Sequence, residues 1–108
     1  MKRAELVLLA LAALGAAACS PRESGKKAIV ERCLAGGEDE KVCQCQAQAS
    51  AEKLDQELFD LVVLGARGEE AEAAVRVEEL SPELQGRLST LVPEIRQECE
   101  LAAALSAS

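Results

Sequence analysis

The sequence contains no histidine, tryptophan or tyrosine, and its only aromatic residue is Phe59. Without imidazole there is no histidine general base, no Ser-His or Cys-His nucleophilic pair and no histidine-bearing metal site. Without aromatic platforms there is nothing on which nucleotide bases can stack. Positive charge is also scarce, with 12 Lys+Arg against 19 Asp+Glu in 108 residues. An anionic surface repels phosphate backbones, so nucleic acid is not an expected partner. No EF-hand-type loop of oxygen ligands occurs. The acidic pairs Glu69-Glu70 and Glu78-Glu79 have the pattern of a solvated helix face. The expectation is a protein that is not an enzyme and carries no cofactor.

The chain opens with an organised N-terminal segment. Lys2 and Arg3 precede an uncharged run, Leu6 to Ala18, of 13 residues built from Leu, Ala, Val and Gly. A bilayer span needs about 20 apolar residues, whereas the hydrophobic region of an export signal needs about 7 to 15. The run ends in Ala16-Ala17-Ala18-Cys19-Ser20, small residues that fit a peptidase groove in extended form. Residues 1–18 therefore read as a signal peptide and 19–25 as a short polar tether. Cleavage removes Lys2, Arg3 and Glu5 and leaves 10 basic against 18 acidic residues, a net charge of −8.

At these first twenty residues the chain resembles bacterial lipoproteins, whose lipobox sets small residues before a cysteine that is acylated and becomes the new N-terminus. Ala16 stands where leucine is usual, three residues before the cysteine. The resemblance implies that Cys19 is the lipidation site and that a lipid anchor attaches the protein to a membrane. Ser20, not being aspartate, implies sorting to the outer membrane, facing the periplasm. Ordinary cleavage after Ala18 would instead release the chain into the periplasm.

From Lys26 onward apolar residues recur at helical spacing, and no run of alternating β-branched residues is present. Residues 26–105 are expected to form an all-α domain, a small disulfide-stapled bundle of about four helices. The first covers about residues 26–35 and ends at Gly36-Gly37. The second begins near Glu38-Asp39-Glu40 and runs to about Leu64, with Cys43, Ala47, Ala51, Leu54, Leu58, Leu61 and Val62 along one stripe. A short third helix, about 69–80, crosses the end of the bundle as a connector. The fourth starts at Ser81-Pro82-Glu83, where a serine cap, a first-turn proline and an acidic neighbour all favour initiation. It carries Leu84, Leu88, Leu91, Ile95, Cys99 and Ala102 on one line. Pro93 is expected to kink or split it, and the tail after Leu101 to fray.

Five cysteines cannot all pair within one chain, and acylation of Cys19 removes the odd one. The other four are Cys33, Cys43, Cys45 and Cys99. A bond between Cys43 and Cys45 is disfavoured, because side chains two apart on a helix diverge by about 200°. Two pairings stay open. Turn geometry at Gly36-Gly37 favours Cys33–Cys43 with Cys45–Cys99. Shared core-facing stripes favour Cys43–Cys99 with Cys33–Cys45. The Cys33-x9-Cys43 spacing resembles one arm of the twin CX9C hairpins of small mitochondrial proteins, but the second arm is missing.

The exported part holds 21 residues of the Leu, Ile, Val and Phe type, enough for only a modest core. Two bridges of about 2–4 kcal/mol each would rival the stability of such a domain. The function expected is that of a non-catalytic structural or protein-interaction module tethered in the bacterial cell envelope, with an unspecified protein partner. The alternative is a soluble periplasmic metal-binding or thiol-exchange protein using Cys33, Cys43, Cys45 and Cys99.

Overall fold

A computed structural model describes residues 20–107, and within them five helices and no strand. They are α1 (Pro21–Ala35), α2 (Glu40–Lys53), α3 (Gln56–Ala66), α4 (Glu70–Glu79) and α5 (Pro82–Ala107). The all-α class and the disulfide stapling are as expected. Residues 1–19, with the expected export signal and Cys19, lie outside the described residues.

Helix α1 begins earlier than expected. Ser20 is its N-cap, accepting from the backbone N–H of Glu23 at 3.2 Å, and Pro21 opens the first turn. Pro21 to Gly25 are therefore helical, which corrects their reading as a tether. The physical reason is a capped start followed by close packing: Gly25 is buried, and a Cβ built there would meet Val63 Cγ2 at 2.8 Å and Phe59 Cε2 at 2.9 Å. Only the absence of a side chain lets α1 approach α3 so closely. Gly37, at φ 88°, then takes the left-handed conformation that turns the chain toward α2.

The long second helix expected from the sequence is two helices. Leu54 and Asp55 are both extended, at ψ 140° and 154°, and interrupt the helical path between α2 and α3. Asp55 serves as the N-cap position of α3, and its carboxylate pairs with Arg87 of α5 at 3.2 Å. The apolar stripe nevertheless holds across the break. Cys43, Ala47, Ala51, Leu54, Leu58 and Leu61 are all buried, with Ile29, Val42, Phe59, Val63, Leu80, Ile95 and Cys99 completing the core.

Packing runs from α1 onto α2 and α3, from α2 onto α5, and from α3 onto α4. Helix α4 has no fully buried residue. Its C-terminal end is closed by a side chain of the next helix, since Gln85 Nε2 donates to the carbonyls of Val77 (2.9 Å) and Leu80 (3.1 Å). Helix α5 starts as expected, with Ser81 Oγ accepting from Leu84 N–H at 3.3 Å. It is not split at Pro93 and stays helical through Ala107, although an interior proline costs about 3 kcal/mol. Ile95 and Cys99, both buried just beyond the proline, fix the continuation against α2.

These contacts give opposite signs for two similar substitutions. Gly25→Ala gains helix propensity but drives a methyl into Phe59 and Val63, so it is expected to lower the thermal midpoint. Gly86→Ala, in α5 with nothing within 4 Å of the added Cβ, is expected to raise stability by about 0.5–1 kcal/mol. Circular dichroism melts of both variants check the pair.

Candidate functional site

The four cysteines of the described domain form two bridges at one end of the α1–α2 hairpin. Cys33 lies in the last turns of α1 and Cys43 in the first turn of α2. Gly36 and Gly37 reverse the chain between them, with Gly36 N–H bonded to Arg32 and Cys33 carbonyls and Gly37 N–H to Leu34. The reversal brings the two Cα atoms to 5.5 Å, and the sulfurs are joined at 2.08 Å. Cys45, one half-turn further on, faces α5 and is joined to Cys99 with Cα atoms 5.7 Å apart. The pairing is thus the one favoured by turn geometry. Cys43 and Cys99 are both buried, as their stripes predicted, yet they are not bonded to one another. Cys33 and Cys45 are half-buried, so each bridge joins one buried and one partly accessible sulfur.

Helix α5 runs antiparallel to α2. Cys99 is fixed to Cys45 near the start of α2, whereas Arg87, earlier on α5, meets Asp55 just past the end of α2. Lys53 and Glu98 form a further ion pair across the same seam. The Glu98 carboxylate, by accepting this hydrogen bond, holds the Lys53 ammonium pKa above its ordinary value. All these charged groups are exposed, so solvent screens the pairs and they contribute little.

No protein-family model, curated protein or solved structure matches this chain. Its chemistry has to be argued from the described residues alone.

All four sulfurs are engaged in S–S bonds, so a thiolate metal site would require both bridges to be reduced first. Among the described residues no group of three or more His, Cys, Asp or Glu side chains is placed to hold a metal ion. The acidic pairs are exposed, and Glu70 is bound by Arg32 at 2.9 Å. Leu54, Leu58 and Leu61 are interior rather than a docking stripe. Cys19, the expected lipidation site, lies outside the described residues.

Sequence reasoning missed two polar residues. Gln46 Nε2 is buried with no hydrogen-bond partner. Its Oε1 lies 3.9 Å from the Cys33 sulfur, which in a disulfide has no hydrogen to donate. Arg96 on α5 makes neither an ion pair nor a hydrogen bond among the described residues. Neither has a signature in the sequence, because each is defined by the partner it lacks after folding.

The bridges close loops of sequence separation 10 and 54. Chain-entropy reasoning assigns them about 3 and about 4 kcal/mol respectively. The double variant Cys45→Ala/Cys99→Ala is therefore expected to lose more stability in urea than Cys33→Ala/Cys43→Ala. An equal or reversed ranking would show that loop closure does not govern the contribution.

Proposed function

We propose that the chain is a lipid-anchored, non-catalytic protein of the bacterial cell envelope, a small disulfide-stapled helical module held at a membrane through acylated Cys19. The observation that carries this reading is cysteine parity. Two bridges account for Cys33, Cys43, Cys45 and Cys99, leaving Cys19 as the odd cysteine, directly after the small residues Ala16-Ala17-Ala18. A free thiol is a liability in an oxidising compartment, and acylation removes it.

The anchor would also supply what the described domain lacks, since no described helix is long and apolar enough to cross a membrane. Each buried CH₂ contributes about 0.8 kcal/mol, so several acyl chains hold durably where one chain is marginal. Helix α1 begins right behind the anchor, with Ser20 as its cap. A module so attached stays close to the bilayer surface instead of ranging on a flexible linker, and Ser20 suits placement at the outer membrane, facing the periplasm.

Intact-mass measurement on protein extracted from membranes tests the reading. The expected mass is that of residues 19–108 plus acyl groups, with four cysteines blocked to alkylation. Cys19→Ala is expected to abolish both the added mass and the membrane fractionation. A membrane-free mature chain beginning at Ser20 or at an unmodified Cys19 would overturn the anchor. Four reactive thiols binding a metal ion would instead favour the soluble metal-binding or thiol-exchange alternative.

A further inference from the structure

The two bridges differ in what surrounds their half-buried sulfurs. Cys45 packs against the hydrophobic core, and its bond to Cys99 ties down α5. Cys33 instead borders an open cavity of about 500 Å³, where Gly36, Gly65 and Ala66 put no bulky side chain across the approach. In each bridge the second sulfur is out of reach, with Cys43 0% and Cys99 1% accessible. A thiolate attacks the sulfur it can reach, so exchange from the cavity has one point of entry, Cys33.

The surroundings of Cys33 suit its reduced form better than its oxidised one. The Gln46 amide has no hydrogen-bond partner for its buried Nε2, and its Oε1 lies 3.9 Å from the Cys33 sulfur. In the disulfide that sulfur carries no hydrogen, so the contact is unused. A Cys33 thiol would fill it, its S–H donating to Oε1. Arg32 and Arg96 border the cavity together with Glu38 and Glu70, so its rim carries both signs of charge and does not single out a charged reagent.

Opening this bridge also spares the fold. It closes a loop of sequence separation 10, against 54 for the other, so cutting it returns less freedom to the unfolded chain. Helix α1 keeps its noncovalent hold further from the turn, where Ile29 is buried, Gly25 meets Phe59 and Arg22 donates to the Ala51 carbonyl.

We propose that Cys33–Cys43 is an exchangeable disulfide, opened at Cys33 by a dithiol while Cys45–Cys99 stays closed. A thiolate of the dithiol bonds to Cys33 Sγ as the Cys33–Cys43 bond breaks. Cys43 Sγ departs with the electron pair and takes up the proton that the incoming thiol gave up. The second thiol of the same molecule then attacks its partner sulfur in the mixed disulfide, and Cys33 leaves, is protonated and donates to Gln46. Two electrons and two protons pass to the bridge, and the dithiol becomes a disulfide. An oxidised dithiol reverses both steps, because the Gly36-Gly37 turn keeps Cys43 beside Cys33. The inference rests on the bridges alone and stands whether or not Cys19 is acylated.

Timing the opening of each bridge tests the assignment. Native protein with both bridges closed is treated with dithiothreitol, quenched with iodoacetamide at intervals and mapped by peptide mass. Cys33 and Cys43 are expected to be labelled at least about tenfold faster than Cys45 and Cys99. Helical circular dichroism is expected to persist in the species with only the first bridge open. With oxidised glutathione, Cys43→Ala is expected to form a mixed disulfide at Cys33, whereas Cys33→Ala leaves Cys43 unmodified. In a glutathione redox buffer, Gln46→Leu is expected to shift the Cys33–Cys43 equilibrium toward the disulfide about threefold. Labelling of all four cysteines at one rate, earlier opening of Cys45–Cys99, modification of Cys43 in place of Cys33, or loss of helix with the first bridge would overturn the proposal. An equilibrium indifferent to Gln46→Leu would count equally against it.

Discussion

The bond between Cys45 and Cys99 is the constraint on which the arrangement rests. Helix α5 is the longest of the described helices, yet among its described side chains only Ile95 and Cys99 are fully buried. Leu84, Leu88, Leu91 and Ala103 add only partial burial against the core, so the apolar contact of α5 is modest beside the ordering of so many residues. The flanking ion pairs, Lys53–Glu98 and Asp55–Arg87, are exposed and add little. The covalent link removes freedom from the unfolded chain over a long loop, and so makes a thin contact sufficient. It also fixes the register, because a shift of α5 along α2 would move Cys99 beyond bonding distance.

The remainder of the fold follows from how little large apolar surface is available. Phe59 is the only aromatic residue, and it is fully buried against Gly25, the one buried glycine among the described residues. The glycine removes its own side-chain volume so that the ring fills the space between α1 and α3. Arg22 covers the same ring, with its guanidinium carbon 5.0 Å from the centroid, and also donates to the carbonyl of Ala51 and to Gln56. A single residue of α1 therefore joins three elements around the single ring, which is how a core of alanine, valine and leucine holds a hairpin together.

Much of this was legible in the sequence because it is local. The stripe from Cys43 to Leu61 reports burial by spacing alone, and it survives the break at Leu54-Asp55 because both pieces keep one face toward the same core. Ser81-Pro82 was read as a helix start. Ser20-Pro21, followed by Glu23, carries the same signal, but the expectation of a tether behind an anchor hid it. Asp55 could have been read as a cap, yet the uninterrupted apolar stripe argued for one continuous helix. The cysteine pairing was not decidable from facing, since Cys43 and Cys99 are both buried. It was settled by the tight turn at Gly36-Gly37, which places Cys33 beside Cys43 before α5 is reached. Pro93 misled for a tertiary reason: the segments on either side of it are held by α2.

The open side of α5 and the staple are two sides of one economy of residues. A domain with a fuller core would bury α5 on both α2 and α3, with large side chains where Val62, Val92 and Pro93 now stand. Here the disulfide fixes α5 from the α2 side, so the side toward α3 and α4 need not close for the helix to stay in place. What remains open is graded by the sequence itself. Leu88 and Val92 lie four residues apart on α5, and Arg96 and Glu100 follow at the same interval, so one helical face passes from apolar to charged along its length. Gln46, one residue beyond the bridged Cys45, borders the same cavities as Arg96. The open side of α5 is thus the consequence of holding a long helix by one bond more than by a core.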